Sequence, residues 1–203
     1  MGSSKRWKHE HNRDLYVRKA RDAGYRSRAA FKLLELDRSD ALMHPGDTVV
    51  DLGASPGGWS QVAVEKVGPA GFVLGTDLLP MDALAGVQFV QGDFTEQGVL
   101  DEILEQLADR PVDLVISDMA PNITGIRVTD QARSSLLVEL AWDFAGKVLK
   151  PGGRLVVKVF QGESSERCVR EMAGSFATLR RRKPDSSRDK SREFYVVASG
   201  FGL

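Results

Sequence analysis

Two lysines and two carboxylates, far apart along the chain, are the residues of this sequence best suited to proton transfer. Lys158 lies inside the apolar run 155–160, and a lysine in a buried strand is rare unless it is paired or functional. Asp118 follows the preceding apolar run, and Glu193 opens the last one. Lys32, on a basic N-terminal segment, is predicted to fold over the same place. Together they would form a general-base site in which carboxylates orient a lysine.

The same four residues also have a plainer interpretation. Lys158 and Asp118 would then be a structural ion pair, while Lys32 and Glu193 would be ordinary surface charges. A base role is demanding, because free lysine has a pKa of about 10.4 and a value near neutrality requires roughly 4 kcal/mol of destabilisation of the ammonium. Burial and a neighbouring lysine act in that direction, whereas carboxylates oppose it. The spacing alone leaves both interpretations open.

A glycine-rich turn, residues 51–58, is the second feature with chemical meaning. It follows an apolar run, 48–50, and precedes a predicted helix. Glycines let the backbone approach a ligand closely, and a helix N-terminus offers unpaired N–H groups to it. Asp77 and Asp93 follow the next two apolar runs, where they are placed to accept hydrogen bonds from ribose hydroxyls and an adenine amino group, respectively. The alternative is that both acids only cap turns.

The glycine spacing favours one nucleotide-like cofactor over another. The NAD fingerprint requires glycines at relative positions 1, 3 and 6, and these positions are Gly53, Ser55 and Gly58 here. The missing middle glycine is the one that admits a pyrophosphate. The turn therefore predicts S-adenosylmethionine, which contains no phosphate. No cluster of metal ligands is expected, and a single cysteine, Cys168, excludes an intrachain disulfide.

The elements that must position these residues alternate along the chain. Predicted strands are 48–53, 71–76, 87–91, 112–117 and 154–160, and predicted helices are 59–67, 97–109, 131–149 and 163–177. Such alternation predicts a parallel sheet with right-handed crossovers. Residues 150–153, Lys-Pro-Gly-Gly, are expected to end the long helix.

The C-terminal part of the chain departs from this alternation. Two further strands, 179–183 and 193–198, have no helix between them and must run antiparallel. The predicted fold is therefore α/β, with a mostly parallel seven-stranded sheet, one antiparallel strand near the C-terminus and helices on both faces. This arrangement resembles the class I (Rossmann-like) methyltransferase fold.

The charges of the chain are segregated although its net charge is zero. Residues 1–38 hold 11 Lys/Arg and 5 Asp/Glu, residues 180–192 hold 7 and 2, and the remainder carries a net charge of −11. Two basic segments on an acidic body indicate a polyanionic partner met on one face, although a solvated helix and a solvated loop would look the same. We predict a basic helical extension, residues 1–38, broken at Gly24 and Tyr25, that packs on a methyltransferase domain, residues 39–203, and binds RNA.

No apolar stretch approaches the roughly 18 residues that a membrane helix needs. The charged N-terminus lacks the apolar region of a secretory signal. We therefore expect a cytoplasmic protein without a membrane partner, acting as a monomer.

Five segments of the chain resemble FtsJ/RrmJ-type methyltransferases of large-subunit ribosomal RNA: residues 26–33, 51–61, 117–122, 156–162 and 182–188. The resemblance runs from about residue 10 to the end. It implies 2′-O-methylation of a uridine in 23S ribosomal RNA, within the assembled large subunit, at the expense of S-adenosylmethionine. Two departures from the family pattern are Ser55, where alanine is usual, and Ala30, where a tryptophan is frequent.

The resemblance also implies roles for individual residues. The family's catalytic tetrad falls on Lys32, Asp118, Lys158 and Glu193 of this chain. Its cofactor contacts fall on five positions: Gly57, Trp59, Asp77, Asp93 and Asp118. Alternatives that stay open are 2′-O-methylation of another RNA, such as transfer RNA, and a non-catalytic RNA-binding factor in ribosome assembly.

Overall fold

The computed structural model describes residues 15–121, 125, 127–188 and 191–203. Predictions for residues 1–14, for Asn122 and for residues 189–190 of the second basic segment lie outside these ranges. Residues 15–22 are helical, and a turn at residues 23–24 separates them from the next helix. The elements that follow are α1 (Ala30–Asp40), β1 (Thr48–Leu52), α2 (Gly58–Val67), β2 (Phe72–Asp77), β3 (Val87–Gln91), α3 (Gln97–Leu107), β4 (Val112–Ser117), α4 (Arg127–Val148), β5 (Leu149–Phe160), α5 (Glu163–Met172), β6 (Phe176–Arg182) and β7 (Glu193–Phe201).

The seven strands form one sheet in the order β3-β2-β1-β4-β5-β7-β6. β7 runs antiparallel to both of its neighbours, and the other paired strands are parallel. The predicted sheet, with its single antiparallel strand, is confirmed. The order reverses between β1 and β4, and in open sheets of this kind ligands bind beyond the carboxyl ends of the strands at that point. We call this side of the molecule the carboxyl edge.

Helices cover both faces of the sheet, as predicted. α1 and α2 bury Leu33, Leu36 and Val62 against one face. α3, α4 and α5 bury a second set, including Ile103 and Phe144, against the other face. Because the central strands are covered on both sides, β1 and β4 are buried along their whole length, which explains their continuous apolar sequences.

Three predicted boundaries of helices and strands are wrong. α1 continues to Asp40, two residues beyond the predicted end of the helical extension at residue 38. The division of the chain into an RNA-binding extension and a methyltransferase domain stays a prediction. β5 begins at Leu149 because Leu149 pairs with Val112, and the ladder resumes at Arg154, so that residues 150–153 form an irregularity inside the strand.

The third error concerns the end of α5, which stops at Met172 and not at residue 177. A turn follows, in which Gly174 N–H bonds the carbonyl of Glu171. Phe176 then pairs with Phe201, so that residues 176–178 belong to β6. In the described part of the chain, no helix is long and apolar enough to cross a membrane.

Candidate active site

Lys158 and Asp118 meet at the carboxyl edge. Asp118 directly follows β4, and Lys158 lies near the carboxyl end of the neighbouring strand β5. The Lys158 ammonium lies 3.0 Å from Asp118 Oδ1 and also donates a hydrogen bond to the Asp118 backbone carbonyl. The lysine side chain is only 6% exposed. Two of its three N–H directions are therefore fixed by one residue.

Lys32 and Glu193 complete the predicted cluster. Lys32 Nζ lies 2.8 Å from Glu193 Oε1 and 3.7 Å from Asp118 Oδ1. Glu193 reaches the site because β7 is antiparallel and its first residue pairs with Phe160, the last residue of β5. Lys32 reaches it from α1, which packs across that face of the sheet. The expected convergence of the four side chains is confirmed.

Tyr195 is a member of the cluster that sequence reasoning missed. Its hydroxyl donates to Asp118 Oδ1 at 2.5 Å and accepts from Lys32 Nζ at 2.9 Å. Burial raises the pKa of Tyr195 well above 10, and the nearby Asp118 and Glu193 carboxylates add to the effect. The phenol is therefore a permanent hydrogen-bond donor. A signal existed, because side chains two residues apart on a strand share a face, so that Tyr195 follows Glu193 into the site.

The charge state of Glu193 follows from its neighbours. Burial acts to raise the pKa of its carboxyl, but the Lys32 charge and hydrogen bond, together with Lys158, outweigh burial, and the net pKa is lowered. Glu193 is therefore ionised at neutral pH and matches the positive charge of Lys32.

The glycine turn lies beside this cluster, between β1 and α2. Gly53 and Gly57 have φ angles of 77° and 107°, a region that side chains other than glycine rarely adopt. A Cβ atom on Gly57 would lie 3.1 Å from both Arg26 Nη1 and Met81 Sδ. Arg26 and Met81 thus pack against the turn, and the positive φ angles of Gly53 and Gly57 favour glycine at these two positions.

A buried carboxylate, Asp51, lies at the base of the turn. Ser60 donates a hydrogen bond to it at 2.7 Å. Burial raises the pKa of Asp51 to about 7, and the Asp118 and Asp77 carboxylates contribute to the increase. The Asp118 and Asp77 carboxylates therefore oppose the ionisation of Asp51, and the three acidic residues make this part of the carboxyl edge rich in acids.

Asp77 and Asp93 occupy the strand ends as predicted, but their contacts differ. Asp77 accepts hydrogen bonds from the backbone N–H groups of Ser55 and Leu79, at 2.9 and 2.8 Å, and so joins the glycine turn to the β2–β3 loop. Asp93 accepts local bonds, from the N–H and hydroxyl of Thr95. Both residues therefore stabilise turns, and a role in cofactor binding would be additional to that one.

Trp59 is the second residue of α2 and packs against the cluster of Lys32, Asp118, Lys158, Glu193 and Tyr195. Its indole N–H donates to the Ala29 carbonyl at 2.8 Å, and its ring centroid lies 5.8 Å from that of Tyr195. The side chain is buried. Trp59 thus links the N-terminal segment to the site. Of the two departures from the family pattern, Ser55 adds a bond to the Pro80 carbonyl at 3.2 Å, and Ala30 is fully buried at the start of α1.

Several arginines of the second basic segment, residues 180–192, are held in ion pairs with carboxylates of the protein. Arg182 makes a bidentate pair with Asp40, with both distances 2.7 Å, and Arg180 contacts the same carboxylate at 3.3 Å. Arg181, which points to the other face, makes a bidentate pair with Glu166. Within the ranges that the structure describes, no group of three His, Cys, Asp or Glu is arranged to hold a metal ion.

The sheet order, the glycine turn and the acid-rich carboxyl edge define a class I methyltransferase fold. A family model described as FtsJ-like methyltransferase matches residues 25–201, and the chain belongs to that family. It is 56% identical to the ribosomal RNA large subunit methyltransferase E of Hahella chejuensis, covering 98% of this chain and 97% of that protein. It is 52% identical to the protein of the same name from Pseudomonas aeruginosa, covering 98% and 96%.

A solved structure gives independent support for the fold. It is described as a ribosomal RNA methyltransferase from Plasmodium falciparum and is 30% identical, with a TM-score of 0.78. The match covers 87% of this chain and 98% of that one. The predicted family membership and fold class are therefore confirmed.

Proposed function

We propose that this protein transfers a methyl group from S-adenosylmethionine to the ribose 2′-hydroxyl of a uridine in 23S ribosomal RNA, in the assembled large subunit, in the cytoplasm. The observation that carries the proposal is the position of Lys158, held by Asp118 beside the glycine turn. The names of the relatives, which are ribosomal RNA large subunit methyltransferases, support the choice of RNA.

The residues of the carboxyl edge fit S-adenosylmethionine. The turn would contribute backbone around Gly57, and Asp77 at the end of β2 would accept hydrogen bonds from ribose hydroxyls, with Trp59 and Asp93 flanking the same edge. The carboxylates that raise the pKa of Asp51 suit a cationic sulfonium, not a phosphate. The bound cofactor would supply an electrophilic methyl group on a positively charged sulfur.

Lys158 is placed to remove the proton of the attacking hydroxyl. As a neutral amine it retains two N–H bonds, which match its two contacts with the Asp118 carboxylate and carbonyl. Its lone pair then occupies the remaining direction, where it can accept a proton. Proton removal of this kind typically contributes about 10²–10⁴-fold to a rate.

The other members of the cluster position the reacting groups. Tyr195 fixes one oxygen of Asp118, so that the carboxylate cannot rotate away from Lys158. Lys32 and Glu193 form an adjacent ion pair whose remaining hydrogen-bonding capacity is available to the ribose. Alignment of oxygen, carbon and sulfur is expected to supply most of the acceleration, since good orientation is worth ~7–11 kcal/mol.

The two basic segments come together on one face, which suits RNA. Arg28 donates to the Ser186 carbonyl at 2.7 Å, and the Ser186 N–H bonds the Glu35 carboxylate. Arg38 and Lys183 line one cavity of ≈ 240 Å³ between the segments. An RNA strand following this face would reach the catalytic cluster along α1.

Salt dependence tests this RNA face. Arg38→Gln and Lys183→Gln should each weaken RNA binding and reduce the slope of log K against log salt by roughly 0.7, the value per phosphate contact for single strands. Lys147→Gln, on the exposed part of α4, is the matched control and should leave the slope unchanged. An unaltered slope in both test variants would contradict the assignment.

The environment of Cys168 argues against the cysteine-dependent methylation of a pyrimidine base. The thiol is buried on α5, away from the carboxyl edge. Burial raises the pKa of Cys168 to about 11, and Glu139 and Glu171 contribute. A thiol with that pKa is rarely the thiolate nucleophile that such chemistry requires.

The decisive experiment is a single-turnover methylation of purified large ribosomal subunits with S-adenosylmethionine, followed by mass spectrometry of the ribosomal RNA. The proposal predicts one 2′-O-methyluridine that is absent from mock-treated subunits. Transfer RNA is the comparison substrate. Methylation of transfer RNA but not of the subunits would assign the activity to transfer RNA. Binding to the subunits without methyl transfer would support a non-catalytic assembly factor.

A further inference from the structure

Arg26 belongs to the basic N-terminal segment, but its guanidinium is occupied by the protein backbone. Nη1 donates to the carbonyls of Asp82 and Pro56 at 2.7 and 3.3 Å, and Nη2 donates to the carbonyl of Ala83 at 2.7 Å. Pro56 lies in the glycine turn, and Asp82 and Ala83 lie in the β2–β3 loop. One side chain therefore bridges the two loops that surround the proposed adenosyl site.

The backbone of the same segment is fixed to the start of α2. The Arg26 N–H donates to Gln61 Oε1 at 2.7 Å, and Gln61 Nε2 donates to the Gly24 carbonyl at 2.9 Å. Ser27 packs closely on Gly58, and a Cβ atom added to Gly58 would collide with the Ser27 hydroxyl. Residues 24–27 thus form a wall of the glycine turn and not only an RNA-binding arm.

The loops on either side of Arg26 are also connected to each other. Asp77 bonds the Ser55 N–H, and the Ser55 hydroxyl bonds the Pro80 carbonyl. At Gly57 an added Cβ atom would lie 3.1 Å from both the Arg26 and Met81 side chains, so the packing there is tight. The distance between the turn and the β2–β3 loop therefore depends on the guanidinium that lies between them.

We propose that Arg26 is a positioning residue of the cofactor site, which sets the spacing of the glycine turn and the β2–β3 loop and couples cofactor affinity to docking of the N-terminal segment. The inference rests on the proposed use of S-adenosylmethionine. Arginine suits the role because its planar fork reaches several carbonyls at fixed angles, whereas the lysine ammonium is a compact charge on a flexible stem.

The coupling has a thermodynamic consequence. RNA that binds residues 24–28 in the conformation described above also stabilises the arrangement of Arg26, and it should therefore increase the affinity for the cofactor. By linkage, the cofactor increases the affinity for RNA by the same factor. Removal of Arg26 removes this shared element, so that the two affinities become independent.

Calorimetric titration of the full chain with S-adenosylmethionine, with and without an RNA oligonucleotide of the target region, tests the proposal. Arg26→Ala should weaken cofactor binding at least ~10-fold, because the site is no longer preorganised. The effect of RNA on cofactor affinity should fall to about 1-fold in this variant. Arg26→Lys keeps the charge without the fork and should recover only part of the affinity.

Arg21→Ala is the matched control, since it removes one positive charge from an exposed position of the same segment. It should leave cofactor affinity within ~2-fold of wild type while carrying the same change in net charge as Arg26→Ala. Thermal melting verifies that each variant is folded, and Arg26→Lys provides the measurement if Arg26→Ala melts below the assay temperature.

Different outcomes contradict different claims. If Arg26→Ala, or in its place Arg26→Lys, binds the cofactor like wild type but shows a reduced salt slope for RNA, Arg26 is a phosphate ligand and the inference is wrong. If the wild-type protein itself does not bind S-adenosylmethionine, the proposed function fails, irrespective of Arg26.

Discussion

On the β1–β2 side of the strand-order reversal the carboxyl edge consists of the backbone of a turn, whereas on the β4–β5 side it consists of charged side chains. The first region is a glycine turn held by hydrogen bonds between loops. The second is a buried network of Lys32, Asp118, Lys158, Glu193 and Tyr195. The difference matches two tasks, because a carrier molecule is held by shape and a proton is moved by charge. Damage to the two regions should therefore have opposite kinetic signatures.

The largest expected effect is that of Lys158→Ala. The single-turnover rate should fall by at least ~10³-fold, since the variant loses the proton acceptor. Affinity for S-adenosylmethionine should stay within ~3-fold of wild type, because Lys158 is not part of the turn. A tritiated-methyl assay and calorimetry measure the two quantities. Lys147→Ala is the control, and near-normal turnover of Lys158→Ala would remove Lys158 from the base role.

Gly57→Ala should give the reverse pattern. At a φ of 107° an alanine is strained, and its Cβ atom would meet Arg26 and Met81 at 3.1 Å. We expect cofactor affinity to fall ~10–100-fold, as strain of about 1–3 kcal/mol is relieved by movement of the turn. The rate at saturating cofactor should change little. Gly146→Ala, where a methyl group meets nothing within 4 Å, is the matched control. Normal cofactor affinity with a lost methylation rate in Gly57→Ala would show that the turn does not serve mainly to bind the cofactor.

A smaller effect is expected for Glu193→Gln. The variant keeps the shape of the side chain but loses the charge that faces Lys32, and we expect a rate about 10-fold lower. Glu102→Gln, at an exposed position of α3, is the control. If Glu193→Gln retains the full rate, Glu193 has no part in positioning the ribose.

The lowered pKa of Glu193 predicts that the stability of the protein depends on pH. Its pKa is lower in the folded protein than in the unfolded chain, because Lys32 and Lys158 outweigh burial. The ionised carboxyl therefore stabilises the fold above its unfolded pKa of about 4.3, and this stabilisation is lost as the pH falls through the lower folded value. The difference in Tm between wild type and Glu193→Gln should stay constant from neutrality down to the unfolded pKa of about 4.3 and shrink as the pH falls from there through the lower folded pKa. A difference that stays constant through this acidic range would contradict the charge assignment.

The two regions also differ in how far the sequence predicts them. The glycine turn is local, so its residues and the acids at the following strand ends are visible in the order of the chain. The catalytic cluster was predictable for another reason, since the ends of neighbouring parallel strands share one edge and an antiparallel strand begins there. Lys158, Asp118 and Glu193 follow from that rule once the strands are assigned.

What the sequence did not predict depends on register and on side-chain reach. The position of Tyr195 on the same strand face as Glu193 could be read from the sequence, but its contact with Asp118 depends on the register of β5 and β7, in which Tyr195 pairs with Lys158. Arg26 donates hydrogen bonds to the carbonyls of Asp82 and Ala83, which lie 56 and 57 positions further along the chain. Arg182 pairs with Asp40, which lies 142 positions away, and this contact reduces the free charge of the second basic segment. Such partners become visible only after the loops are placed.

A double-mutant cycle between Lys158 and Asp118 measures whether the two residues act as one catalytic unit. Single-turnover rates at saturating S-adenosylmethionine are measured for wild type, Lys158→Ala, Asp118→Ala and the double variant. Residues that act as one unit give strongly non-additive losses. Our account predicts that the double variant is within ~3-fold of Lys158→Ala alone. Losses that multiply would show that Asp118 acts independently of Lys158, and the lysine–carboxylate pair would not be the catalytic unit.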